Sequence, residues 1–169
     1  AGLSEQLGSS RAPIREALQV LVQEGLITSE PQKGKHVRQM TGKEIYDSYV
    51  VAGILEGAGV AESLPLWTEA NMETFRSVVR QMEGKISYAT KLDELAEIDE
   101  LFHATLFMAC DNTRLVEMAR TSCATISKYL YYQHWITMFT PREYADRHHA
   151  VAEAVYSRDV KHVETALRE

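Results

Sequence analysis

Apolar positions in the first forty residues follow a helical spacing once and then shorten into strand-like runs. Ile14, Ala17, Leu18, Leu21 and Val22 stand at i, i+3, i+4, i+7 and i+8, which is one face of an α-helix. Ser10 holds the N-cap position, Pro13 falls in the first turn, where its missing N–H costs little, and Gly25 stops the helix. A short helix, LSEQL, precedes it through the tight link Gly8-Ser9-Ser10, so the pair reads as a helix-turn-helix. Two short runs of β character follow, Leu26-Ile27-Thr28 and His36-Val37-Arg38, with the turn-forming EPQKGK between them. A hairpin in that place makes the winged form of the motif.

Beyond a boundary near Gln39–Thr41 the pattern is helical to the end. One helix runs from Gly42 to near Ser63 and is stopped by Pro65. A second starts at Thr68-Glu69-Ala70 and carries Met72, Phe75, Val78, Val79 and Met82 inward as far as Gly84. A third covers Lys91–Ala109, and a fourth Thr113–Trp135, with Leu115, Ala119, Ile126 and Leu130 inward. Residues 136–140 break the pattern before Pro141, a fifth helix spans Arg142–Tyr156, and Asp159 caps a sixth. Six helices without strands predict an antiparallel bundle. The expected fold is mostly α: a winged helix-turn-helix over residues 1–40, its first helix missing, and an all-helical domain over 41–169.

Charge divides the chain in the same place. Residues 1–40 hold five Lys/Arg against four Asp/Glu, and residues 41–169 hold thirteen against twenty, so the overall −6 belongs to the bundle. That sum argues against a general nucleic-acid binder, while the one non-acidic segment is the one with the DNA-reading pattern. Arg11 and Arg15 lie one turn apart opposite the apolar stripe, and Lys33 and Lys35 flank Gly34 in the hairpin turn. An ordinary surface helix with two solvated arginines is the plain alternative. Turn, helix and basic hairpin arriving in order favour the motif. No apolar run is expected to cross a bilayer, and no signal segment is visible. Cys110 and Cys123 follow no zinc or redox spacing and read as buried free thiols of a reducing cytoplasm.

The third helix carries an anomaly. Its buried face should read Leu95, Ile98, Phe102 and Leu106, yet Asp99 and His103 fall on the same stripe. Two such groups in an apolar core without partners would cost several kcal/mol. On the fifth helix His148 is in phase with Ala145, Val151, Ala152 and Val155, whereas His149 faces outward with Glu153 and Tyr156. Helical phase thus aims Asp99, His103 and His148 into one interior. Two imidazoles and a carboxylate suit a divalent transition metal such as zinc, nickel or manganese. A hydrogen-bonded Asp99–His103 pair within one helix is the competing reading.

LSEQLGSSRAPIREALQVLVQEGLI followed by P-x-K-G-x-x-V resembles the DNA-binding domain of the GntR family of bacterial transcription regulators. The rest resembles the all-helical FCD effector domain of its FadR subfamily, through D-x-x-x-H at Asp99–His103, then A-C-D-N-x-x-L, then R-H-H-A-V-A-E-A-V-Y-S-R-D at Arg147–Asp159. The resemblance implies a homodimer on double-stranded operator DNA with inverted repeats. It further implies a metal held by an aspartate and three histidines, with a small organic acid effector beside it. Asp99, His103 and His148 match the first three ligands; the fourth falls one residue past Glu169, and His162 is a substitute of poorer phase. Ala52 stands where many relatives carry a carboxylate-gripping arginine, four residues before a glutamate matched by Glu56, and Ala1 where some have a base-contacting arginine.

The expectation is a cytoplasmic, ligand-responsive regulator, not an enzyme. Arg11 and Arg15 would read guanine edges, Ser9 and Ser10 would meet phosphates at the helix N-terminus, and Lys33, Gly34 and Lys35 would track the backbone or minor groove. A metal-dependent hydrolase or lyase fused to a DNA-binding head is the alternative, although no nucleophile motif accompanies the metal cluster. A metal-free bundle that binds acyl-CoA is a third form, disfavoured by the inward Asp/His set. Tyr129, Tyr131 and Tyr132 read as packing residues, Trp67, His134 and Trp135 as amphipathic edges, and His36 as a possible DNA contact.

Overall fold

The computed structural model describes residues 2–122 and 140–168, which form two compact units, Ala1–Lys43 and Glu44–Glu169. Expectations for Ala1, Cys123, Ile126, Tyr129, Leu130, Tyr131, Tyr132, His134 and Trp135 lie outside the described residues.

In the first unit, α1 (Leu3–Gln6) and α2 (Arg11–Gln23) are followed by β1 (Ile27–Glu30) and β2 (Gly34–Val37). Gly8 ends α1 at φ +58°, a left-handed conformation that glycine adopts without strain, and the Ser9 N–H donates back to the Ser4 carbonyl. Gly25 does the same for α2 at φ +75°. The Leu26 N–H then reaches the Leu21 carbonyl at 3.0 Å and the Gly25 N–H that of Val22 at 3.0 Å. Ser10 is the N-cap of α2, in extended backbone, but its side chain makes no capping bond. The strands pair antiparallel with Ile27 opposite Val37 and Glu30 opposite Gly34. The hairpin is therefore longer than the sequence suggested, with only Pro31-Gln32-Lys33 left as the loop. Glu30, Gly34 and Lys35 are poor strand formers, and ladder hydrogen bonding overrides that preference.

The second unit is helical throughout its described part: α3 (Gly42–Ser63), α4 (Glu69–Ile86), α5 (Ala96–Thr105), α6 (residues 113–122), α7 (Pro141–Tyr156) and α8 (Val160–Ala166). The ends follow side-chain chemistry. Thr68 before α4 and Thr140 before α7 both form capping boxes, with Asn71 and Glu143 respectively, and the Asp159 carboxylate accepts from the His162 N–H at the start of α8. The third predicted helix is shorter than expected: Leu92–Leu95 is a 3₁₀ turn and the α-helix ends at Thr105.

Phe75, Phe102, Leu64, Leu95, Leu106, Val60, Val155 and Val163 are fully buried, each contributing about 1.5–3 kcal/mol by leaving water. Phe75 is the hub, 5.3 Å from Phe102, 5.5 Å from Trp67 and 5.9 Å from Tyr156 between ring centroids. Trp67 is buried at this hub, not at an amphipathic edge, because its indole N–H finds the Ser63 hydroxyl at 2.9 Å. Cys110 is only half-buried, its thiol donating to Glu62 at 3.5 Å, so it is not the core thiol expected.

α3 also departs from expectation. An 18-residue window within Gly42–Leu66 reaches a mean hydropathy of 1.2, long and apolar enough by composition alone to span a bilayer. The apolar character comes from close packing: a Cβ on Gly53 would lie 2.6 Å from the Leu167 carbonyl oxygen, and Ala52, Gly57 and Val60 are buried beside it.

Candidate functional site

α5 and α7 place Asp99, His103 and His148 together. Phe102, on the buried stripe of α5, anchors the arrangement, with His148 4.9 Å and His103 5.5 Å from its ring, both edge-on. Ligand atoms of Asp99, His103 and His148 all lie within 4.8 Å of one another, and these three form the one group among the described residues that could hold a metal ion. His162, the substitute the sequence offered, is exposed on α8 and takes no part in that group.

Tautomers follow from the partners. His148 Nδ1 is 2.8 Å from the Tyr144 carbonyl oxygen, which can only accept, so Nδ1 carries the proton. Its Nε2 then faces Asp99 Oδ1 at 3.0 Å. A bare nitrogen lone pair and a carboxylate oxygen at that distance repel unless a positive charge, a proton or a metal ion, stands with them. Tyr144 Oη donates to the same Asp99 oxygen at 3.0 Å, and His103 Nε2 is 3.8 Å from it. On the far side of the His103 ring, Nδ1 lies 2.7 Å from Oε1 of Glu56, a buried carboxylate of α3. Both atoms are sealed from water without an aligned hydrogen-bond partner, so each has chiefly the other's charge to meet.

Electrostatics follow the same contacts. Burial disfavours a charged His103, but the carboxylates of Glu56 and Asp99 outweigh it and push the imidazolium pKa up to about 9. Burial likewise works against ionised Asp99. The hydrogen bond from His148, the charge of His103 and the Tyr144 hydroxyl reverse that and hold its carboxyl below the ordinary range. Two imidazole nitrogens and one carboxylate, each oriented from behind, are a donor set that fits a divalent transition metal. A void of about 10 Å³ beside His148, between Met82, Phe102 and Ala145, is too small for an organic ligand. A groove of about 560 Å³ runs past Ala104, Phe107, Cys110, Val116 and Arg120, and Asp99, His103 and His148 do not line it.

Sequence reasoning missed Tyr144 and gave Glu56 no role of its own. Both had a signal. Tyr144 precedes His148 by one helical turn, and Glu56 is in phase with Ile45, Ala52 and Ser63 on the buried face of α3.

In the head, Ser9, Ser10, Arg11 and Arg15 are all exposed, the arginines one turn apart in the first half of α2. Lys33 sits at the hairpin tip and pairs with Glu30 at 2.9 Å; Gly34 is exposed and Lys35 half-buried at the start of β2. His36 turns its Nε2 back to the Lys33 carbonyl at 2.9 Å, so this ring closes the wing turn.

Residues 47–169 match the FCD domain, and residues 1–37 match the bacterial regulatory proteins of the gntR family. The Nta operon transcriptional regulator of Aminobacter aminovorans is 28% identical over 148 residues, 86% of this chain and 67% of that protein. The HTH-type transcriptional repressor RspR of Escherichia coli K12 is 26% identical over 168 residues, 98% of this chain and 72% of that one. Among solved structures, E. coli McbR/YncC superposes with a TM-score of 0.73 at 20% identity, over 98% of this chain and 78% of its own length. A putative GntR regulator from Rhodococcus sp. RHA1 gives 0.68 at 20% identity, with the same coverage. With an FCD domain over most of its length and a winged helix-turn-helix before it, this chain belongs to the GntR family of transcriptional regulators.

Proposed function

We propose that the chain is a cytoplasmic, metabolite-responsive regulator that binds an inverted-repeat operator as a homodimer and senses a small organic acid beside a metal in its helical unit. The observation that carries this reading is the convergence of Asp99, His103 and His148, inside an FCD domain, on a chain whose head exposes Arg11 and Arg15. A divalent ion held by these three residues would supply positive charge and open coordination positions suited to a carboxylate. Zinc, nickel and manganese all match the donor set. Tyr144 and Glu56 orient the ligands, and Phe102 keeps water from their apolar side. One relative, over 45% of its length, is the gluconate operon transcriptional repressor of Bacillus subtilis, and gluconate is a carboxylate of this kind. The relatives are regulators, which favours sensing over turnover at the same residues.

In the head, Arg11 and Arg15 reach guanine edges, Ser9 and Ser10 meet phosphate at the α2 N-terminus, and Lys33, Gly34 and Lys35 follow the backbone. The Ser10 hydroxyl, free of a capping bond, suits that contact. Arg15→Ala should weaken operator binding by about 1–3 kcal/mol, roughly five- to 150-fold, read by fluorescence anisotropy on a labelled inverted repeat. Unchanged affinity would remove Arg15 from the readout. For the sensing half, small organic acids should shift the melting of zinc-loaded chain and of Asp99→Ala to different extents. Equal shifts would place the effector elsewhere. Effector and operator should then couple by about 1–3 kcal/mol.

A further inference from the structure

Glu56 stands apart from the metal-ligand group, yet it is 4% exposed, and its Oε1 approaches His103 Nδ1 to 2.7 Å. Buried carboxylates are rare without a partner, and this one comes from a different helix, α3, than the histidine it meets. The approach is not an aligned hydrogen bond, but a carboxylate offers only lone pairs and negative charge, so at this distance the nitrogen facing it carries the proton. That leaves Nε2 as the bare nitrogen of a neutral His103 ring, and Nε2 is the atom turned toward Asp99, at 3.8 Å. The backbone carbonyl of Tyr144 does the same to His148 from within α7. His148 is thus set by its own helix, and His103 depends on a side chain that substitution can remove.

We propose that Glu56 is a positioning residue for metal binding: it fixes His103 in the Nδ1-protonated tautomer, so that the ring offers Nε2 to an ion shared with Asp99 and His148. This rests on the metal-site reading above. The arrangement also ties α3 to the cluster on α5 and α7, so that metal uptake is felt by three helices. Removing such an orienting partner typically costs 10–100-fold in metal affinity.

Glu56→Gln keeps the shape of the side chain and removes its charge. Its amide can present either an acceptor or a donor to Nδ1, so the tautomer is no longer dictated. Zinc affinity is measured by competition with a chromophoric chelator, and the tautomer by long-range ¹⁵N–¹H spectra of chain with labelled histidine. Read above about pH 9, where the His103 ring is neutral and no proton competes with the ion, the expected result is a 10–100-fold weaker zinc affinity in Glu56→Gln, with a mixture of His103 tautomers in the metal-free variant and a single Nδ1–H form in the unaltered chain. Glu56→Asp, which restores a carboxylate, should recover part of the affinity. Unchanged zinc affinity in a folded Glu56→Gln, with the same single tautomer, overturns the proposal and leaves the metal site standing. Should Glu56→Gln fail to fold, zinc-loaded unaltered chain decides: coordination through His103 Nδ1 overturns the proposal, and coordination through Nε2 supports it. No zinc uptake by the unaltered chain defeats the metal reading and this proposal with it.

Discussion

A metal ion bound as proposed would compete with a proton for His103, and the competition has a sign that can be worked out. In the metal-free chain the imidazolium is favoured beside Glu56 and Asp99, with its pKa raised from 6.5 to about 9. Because the folded value lies above the ordinary one, this contact stabilises the metal-free fold fully below pH 6.5 and is lost as pH rises through about 9. A metal held by His103 would have to displace that proton. Apparent zinc affinity should therefore climb, by up to about tenfold per pH unit, between pH 7 and 9 and level off above. Chelator competition at several pH values checks this, and a flat profile would show that His103 is not a ligand. Helical phase alone picked out Asp99, His103 and His148, because each interrupts an apolar stripe that the sequence displays. It could not pair Glu56 with His103, since nothing in a single sequence says which turn of α3 faces which turn of α5.

Helix boundaries were legible where side chains write them. Thr68, Thr140 and Asp159 cap α4, α7 and α8, and Gly25 closes α2. The hairpin was less legible, because strand length is set by pairing across the ladder and Glu30 and Gly34 carry no local strand preference. Close helix approach was hidden as well, and it yields a paired test. Gly53 lies where a Cβ would meet the Leu167 carbonyl oxygen at 2.6 Å, backbone that cannot rotate aside, so Gly53→Ala should destabilise by roughly 1–3 kcal/mol. Gly84 lies on the exposed side of α4, with nothing within 4 Å of a Cβ. There Gly84→Ala should stabilise by about 0.5–1 kcal/mol, the helix-propensity difference. Urea denaturation midpoints separate the two. Equal shifts would mean that α8 yields to α3 without cost.

The two units differ in how their apolar residues are enclosed, and this governs where a bound metal would act. No described residue of 2–43 is fully buried; even Ile14, Leu18, Leu21 and Val22, the apolar stripe of α2, are only half-covered. The second unit seals Phe75, Phe102, Leu95 and Leu106 completely. Local stability follows enclosed apolar contact, so amides of α2 should exchange with solvent faster than those of α4, α5 and α7. A metal that binds only the folded second unit stabilises it by mass action, about 2.7 kcal/mol at a hundredfold excess over Kd. Hydrogen exchange of this chain with zinc and with chelator should then show added protection in α3, α5 and α7, the helices that carry Glu56, His103 and His148. The head, without a ligand of its own, should exchange at the same rate in both. Protection gained equally across residues 2–43 would mean that the head and the helical unit open as one, and that metal occupancy would reach α2 through stability alone.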